Sequence, residues 1–189
     1  MTADGIELLF ARHGQTPENA GGRILGRRDP PLSDEGRDQA ARLAEQAAAA
    51  GVVAVWTSPL LRARQTAVTV ATAVGVEPVA LDDLVESDRG SWEGQSLAHL
   101  AQVSPRLFAA FEAADLAFAF PGGESLQDQV DRTRRALDIV AGGRAPALVV
   151  AHVGTIRAAL LAVGQHPPPE RKVAHGELIR LWWPSGGGR

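Results

Sequence analysis

Short β-branched runs alternate along this chain with longer stretches rich in alanine and leucine, and this alternation restricts the fold more than any other feature. The runs lie at residues 6–11, 52–57, 78–81, 147–151 and 178–183. A helix between two strands lets the second strand run parallel to the first, so repeated units of this kind predict a mainly parallel central sheet covered by helices. The expected fold class is α/β, a three-layer α/β/α sandwich. Start and stop signals bound the helices. Ser33 precedes "DEGRDQAARLAEQAAAA" as an N-cap would, and Gly51 closes it. Ser58-Pro59 reads as a cap and first-turn proline ahead of "LLRARQTAVTVATAV". Ser125 with Asp128 opens a helix to about residue 141, and a last helix is expected over 154–163.

Residues 92–121 depart from the alternation. They read as helical, broken in two at Pro105, and are expected to form a small helical cap insertion beside the sheet. There is no internal repeat and no linker long enough to divide the chain. Residues 1–189 are therefore expected to form a single domain, large enough to bury a core, with the tail "PSGGGR" frayed.

Composition removes several function classes. There is no cysteine, which excludes disulfides, thiolate metal sites and cysteine nucleophiles. A formal net charge of -3 does not suit a nucleic-acid binder with a broad basic surface. No run approaches the roughly 18 apolar residues of a membrane span, and no signal-peptide pattern precedes "GIELLFAR", so a cytoplasmic location is expected. Lys172 is the only lysine, and no G-x-x-x-x-G-K-[ST], G-x-S-x-G or H-E-x-x-H motif occurs.

Ligands of open α/β sheets bind beyond the carboxyl ends of the strands. The first run ends in Arg12 and His13. The second leads to Arg62, the third to Glu86, and the fourth to His152. Taken singly, each has an ordinary reading as a polar turn, a solvated charge or a core histidine. Their coincidence at four successive strand ends points to one site. Two guanidiniums match phosphate oxygens bidentately, and the helix starts after Ser58 and His152 would add N–H donors. A neutral imidazole can attack phosphorus, and a second, if protonated, can stabilise phosphoryl oxygens. A carboxylic acid of raised pKa can protonate the departing alkoxide.

The chain resembles the histidine phosphatase superfamily, also called phosphoglycerate-mutase-like, over nearly its whole length. The resemblance is carried by "ARHGQT", "LGRRDPPLSDEGRDQA", "SPLLRARQTA", "LVESDRGSWEG" and "VVAHVGTIRAAL", in that order, with "PGGESL" similar to a loop of the smaller phosphatase members. The resemblance implies that His13 is the nucleophile that becomes phosphohistidine and that Glu86 is the proton donor. It also implies that Arg12, Arg62, His152 and Asn19 hold the phosphoryl group. No metal and no cofactor are expected. Gly14 is read as small so that the backbone can approach a ligand. Two positions depart from the family: Val153 stands where a glycine commonly follows the second histidine, and Leu25 where phosphatase members often carry glutamine.

The implied activity is that of a metal-independent phosphomonoesterase acting on a small phosphorylated metabolite. The alternatives are a 2,3-bisphosphoglycerate-dependent phosphoglycerate mutase and a non-catalytic phosphate-binding module. "ESDRGSWEG" in place of the mutases' "ERHYG", together with the short chain, favours the phosphatase. The expected partner is a phosphomonoester, with no nucleic acid and no membrane; a homodimer is left open. Phe108, Phe111, Phe118 and Phe120 are expected to pack toward the sheet. His99, His166 and His175 read as surface or loop residues. Trp92 and Glu93 are given packing and hydrogen-bonding roles, and Glu124 and Ser125 a turn and cap.

Overall fold

The computed structural model describes residues 5–169 and 172–184. Five strands among them, β1 (Gly5–Arg12), β2 (Ala54–Thr57), β3 (Pro78–Ala80), β4 (Ala147–Ala151) and β5 (Leu178–Pro184), form one sheet in the order β3-β2-β4-β1-β5. All neighbours run parallel except β5, which is antiparallel to β1. Of the tail expected to fray, Pro184 ends β5, and residues 185–189 lie outside the described residues. Four longer helices connect the strands: α2 (Asp34–Ala49), α3 (Leu61–Val74), α6 (Leu126–Ala141) and α7 (Val153–Ala162). Three shorter ones are α1 (Pro17–Ala20), α4 (Leu97–Val103) and α5 (Pro105–Glu112).

Strand periodicity sorts the core into two layers. Leu8, Phe10, Ala147, Val149 and Ala151 face Leu137 and Val140 of α6 and Ile156 and Ala159 of α7. Leu9, Ala11, Leu148 and Val150 face the other way, onto Leu43 and Ala47 of α2 and Ala67 and Val70 of α3. Every residue of β4 is buried, as a central strand covered on both faces requires. The three-layer α/β/α sandwich is thus built by alternation within the strands.

The segment after Trp92 folds as two short helices, with Pro105 at the first position of α5. Its phenylalanines do not pack toward the sheet as the sequence suggests. Phe111, Phe118 and Phe120 surround the buried Trp92, at ring-centroid distances of 5.4–5.6 Å, and form a third cluster with Ile24, Leu100 and Leu126. A tryptophan in reach offers these rings edge-to-face partners that an aliphatic sheet surface lacks.

One start signal is overridden. Helix α3 begins at Leu61, not after Ser58, and Leu60 at its cap makes no side-chain bond. The Asp29 carboxylate takes the Leu61 N–H instead, at 2.7 and 2.9 Å. Ser58 Oγ still accepts the Leu60 N–H at 3.3 Å and also meets His152 Nε2 at 2.7 Å, so the expected cap lies just ahead of the helix and contacts the second histidine. Ser33 and Ser125 do cap α2 and α6, Ser125 in a reciprocal box with Asp128.

Candidate active site

Because β1 and β4 are adjacent and in register, Arg12 lies opposite Ala151, and the residues that follow each strand emerge side by side. The His13 N–H donates to the Ala151 carbonyl at 3.0 Å. The His13 and His152 rings then stand 5.1 Å apart, both buried. Arg12, His13, Asn19, Arg62 and Glu86 line one cavity of about 140 Å³ at this edge of the sheet. His152 is enclosed beside His13.

The contacts of His13 define its tautomer. Nδ1 lies 2.7 Å from the Gly14 carbonyl, which can only accept, so Nδ1 carries the proton and Nε2 keeps its lone pair. Arg62 Nε–H donates to that Nε2 at 3.1 Å. Burial, then the positive neighbours Arg62 and Arg12 and the nearby His152, hold the His13 pKa well below its ordinary value. The ring is therefore a neutral nucleophile across the physiological range. His152 is lowered in the same way, by burial first and then by Arg62 and Arg12. A protonated second imidazole is an expectation the structure does not favour: burial first, and then the positive charges of Arg62, Arg12, Arg132 and Arg89, keep this ring neutral. Its Nδ1 has no hydrogen-bond partner among the described residues.

Arg62 is buried yet remains a cation, its pKa pushed down to about 10 mainly by burial. Nη2 donates to the Gly26 carbonyl at 2.9 Å and Nη1 to that of Arg28 at 2.5 Å, so one guanidinium ties the loop after α1 to the His13 ring. Arg12 Nη1 donates to the Val173 carbonyl at 2.8 Å. Asn19 accepts the Thr16 hydroxyl on Oδ1 at 3.1 Å, which leaves its NH₂ group as the donor side.

Glu86 departs from its expected state. Burial pushes its pKa up, but Arg89, the Ser87 and Gly154 amides and Arg62 together outweigh burial, so the carboxyl lies below its ordinary value. Oε1 accepts from Ser87 N at 2.7 Å, and Oε2 from Gly154 N at 3.2 Å. The first turns of α3 and α7 thus give the Leu61 and Gly154 amides to the carboxylates of Asp29 and Glu86. A Cβ on Gly154 would stand 2.2 Å from Glu86 Oε1, so any larger residue there would push the acid aside. The preceding Val153 is tolerated, with its side chain packed in the core and lining the cavity.

Gly14 is also small for another reason than the one expected. A Cβ there would meet the Gly36 carbonyl of α2 at 2.2 Å, and one on Gly36 would meet the Gln15 carbonyl at 2.1 Å. The pair lets α2 press against the His13 turn. Leu25 lines the cavity, and Glu93 accepts the Arg27 N–H at 2.8 Å, steadying the same loop. Glu124 pairs with Arg132 at 2.6 Å and does not line the cavity.

His99 and His166 are exposed, as expected, but His175 is not a bystander. Its Nδ1–H donates to the His13 carbonyl at 2.7 Å, the Gly176 N–H donates to the Arg12 carbonyl at 2.9 Å, and the two imidazoles stand 5.4 Å apart. Burial and then Arg12 push the His175 pKa down to about 4. No local pattern marks it, because its role depends on the segment before β5 returning beside β1.

These three histidines predict acid sensitivity. Each binds a proton more weakly when folded than when unfolded, so between pH 6.5 and about 4 the unfolded chain carries more protons, and stability falls as pH falls. Each contributes up to about 1.4 kcal/mol per pH unit. Thermal melts from pH 8 to 4.5 should show Tm constant above about 7 and falling steeply below 6.5. A flat profile would contradict the buried neutral rings.

A family model described as the histidine phosphatase superfamily (branch 1) matches residues 8–187. A bifunctional protein of Mycobacterium tuberculosis is 42% identical over 153 residues, covering 79% of this chain and 42% of that protein. The chain thus spans about two fifths of the length of that curated relative. A metal-independent phosphoserine phosphatase of Arabidopsis thaliana is 36% identical over 172 residues, covering 87% of this chain and 71% of that one. Among solved structures, a mycobacterial glucosyl-3-phosphoglycerate phosphatase in complex with VO3 superposes with a TM-score of 0.75 at 32% identity, covering 81% of this chain and 79% of that one.

Proposed function

Since the chain belongs to the histidine phosphatase superfamily, we propose that it is a phosphomonoesterase, working without a metal through a phosphohistidine on His13. The observation that carries this reading is the His13 ring itself. It is neutral, with its proton tied to the Gly14 carbonyl and its Nε2 lone pair turned to the Arg62 guanidinium, in a cavity that Glu86 also lines. A phosphoryl group drawn in by Arg12, Arg62 and the Asn19 NH₂ would meet that lone pair, and His152 Nδ1 is the ring nitrogen left to satisfy an equatorial oxygen. In the first step the N–P bond forms as the ester P–O bond breaks, and the alkoxide leaves with a proton delivered at Glu86. In the second, water attacks the phosphohistidine while Glu86 takes its proton.

The relatives whose names describe phosphatases support hydrolysis over phosphoryl return to a second hydroxyl. The substrate is proposed to be a small phosphorylated metabolite, and the setting the cytoplasm. The test is phosphate release from a panel of phosphomonoesters in EDTA, including 3-phosphoglycerate with and without 2,3-bisphosphoglycerate. Release in EDTA is the expected result. Isomerisation of 3-phosphoglycerate without net release would assign a mutase instead, and phosphate binding without turnover on any ester would assign a binding module.

A further inference from the structure

A second buried arginine stands against the acid, and nothing in the mechanism above uses it. Arg89 lies three residues after Glu86, in the segment between β3 and the cap. Its Nη2 is 3.4 Å from Glu86 Oε2, and the two side chains are 2% and 5% exposed. The guanidinium carbon stands 5.2 Å from the Phe120 ring centroid and 5.6 Å from that of Phe111, and the side chain lines the same cavity as His13. A cation is costly to bury, and one carboxylate and two aromatic faces help to repay it here.

We propose that Arg89 is a positioning residue for the acid: its charge holds Glu86 ionised and fixes the direction of Oε2, so the free enzyme presents a base and receives its acid proton with the substrate. The proposal rests on the phosphatase reading above. The other groups around the carboxylate act from several elements. Arg62 approaches from α3, and the Gln129 amide reaches Oε1 from α6 at 3.4 Å. The Gly154 amide comes from α7, while Arg132 of α6 is turned to the Val85 carbonyl and Glu124. His13 and Arg12 line the same cavity as Glu86, with His152 enclosed beside His13. Arg89 puts a full positive charge beside a largely buried Oε2, where its effect is stronger than at an exposed site.

The proton balance then follows. A phosphomonoester monoanion brings one proton on its phosphoryl group. As that group settles among the guanidiniums, the proton passes to Glu86 and on to the ester oxygen as the P–O bond breaks and His13 Nε2 bonds to phosphorus. The products are an alcohol and phosphohistidine, with the charge conserved. Esters with poor leaving groups depend on this proton, and esters with good ones do not.

The test is the pH dependence of the ratio of kcat/KM for an alkyl phosphate to that for an aryl phosphate, from pH 5 to 8, in which the titration of the phosphoryl group largely cancels. In the wild type this ratio should fall as pH rises. In Arg89→Met, which keeps apolar bulk between the two rings, the fall should move about one pH unit to the alkaline side. Arg89→Lys should return it toward the wild type. A folded Arg89→Met enzyme with an unmoved profile overturns the proposal. Should the variant fail to fold, the wild type still decides it by carboxyl ¹³C NMR with labelled glutamate, Glu86 being assigned by difference against Glu86→Gln. Titration below 4.5 supports the proposal, and titration at or above 4.5 overturns it. A low titration in a protein that hydrolyses no ester would sink the phosphatase reading and leave the pairing intact.

Discussion

His13→Ala should eliminate phosphate release from every ester in the panel, with kcat falling on the order of 10⁴-fold or more. No second group can take over. His152 is buried, with Nε2 on Ser58 Oγ, and His175 does not line the cavity. The loss should be one of chemistry and not of folding. The side chain makes few of the contacts that hold the turn: the His13 N–H stays on Ala151, its carbonyl on His175, and the Gly14 N–H on Thr66 Oγ1 at 3.0 Å. Phosphate should still bind the variant, since Arg12 and Arg62 remain. The measurement is turnover beside a phosphate titration of the same preparation. Turnover near the wild-type level would rule out the phosphohistidine.

Glu86→Gln should divide substrates by leaving group. For alkyl phosphates kcat/KM should drop by about 10²–10⁴-fold, and for an aryl phosphate by no more than about tenfold. That parameter reports steps up to phosphorylation of His13, so a base role of Glu86 in the later hydrolysis does not enter. The amide is also a poor fit. Oε1 accepts from Ser87, and Oε2 from Gly154 and Arg89, so one face of a glutamine must set its NH₂ against other donors. That mismatch costs about 1–3 kcal/mol of stability, which is why the comparison is between two esters on one protein. Equal losses on both would mean that the proton comes from elsewhere.

Most of the sheet could be read from the chain. The run at 147–151 coincides with β4, and the others differ from their strands by at most two residues at an end. Arg12, His13, Asn19, Arg62 and Glu86 were singled out by their place after strands or by motif, and the structure brings them to one cavity. What escaped the reading is non-local. Asp29, far back along the chain, takes the Leu61 N–H where the helix begins, just past the serine with the right local signature. His175 looked like a loop histidine because its partner is the carbonyl of His13, a residue it meets only through tertiary structure. Arg89 is marked by no local pattern. Its burial depends on Phe111 and Phe120, which local sequence could not place. Gly14 was legible as a glycine but not for its reason, since the close neighbour is another glycine on α2.

The position of β1 between β4 and β5 also bears on how the enzyme is made. A ribosome delivers β1 well before its partners, since Leu8 pairs with Ala147 and Leu181, on the order of 140 residues or more further on. At typical elongation rates of about 5–20 residues per second, the strand that carries the nucleophile waits for many seconds with both edges unpaired. A nascent chain halted before β4 already holds Arg12, His13, Arg62 and Glu86, yet it lacks the Ala151 carbonyl and the His175 ring that set the His13 backbone. The nucleophile is thus translated long before the strands that flank it, and becomes a working group only when β5 joins the sheet.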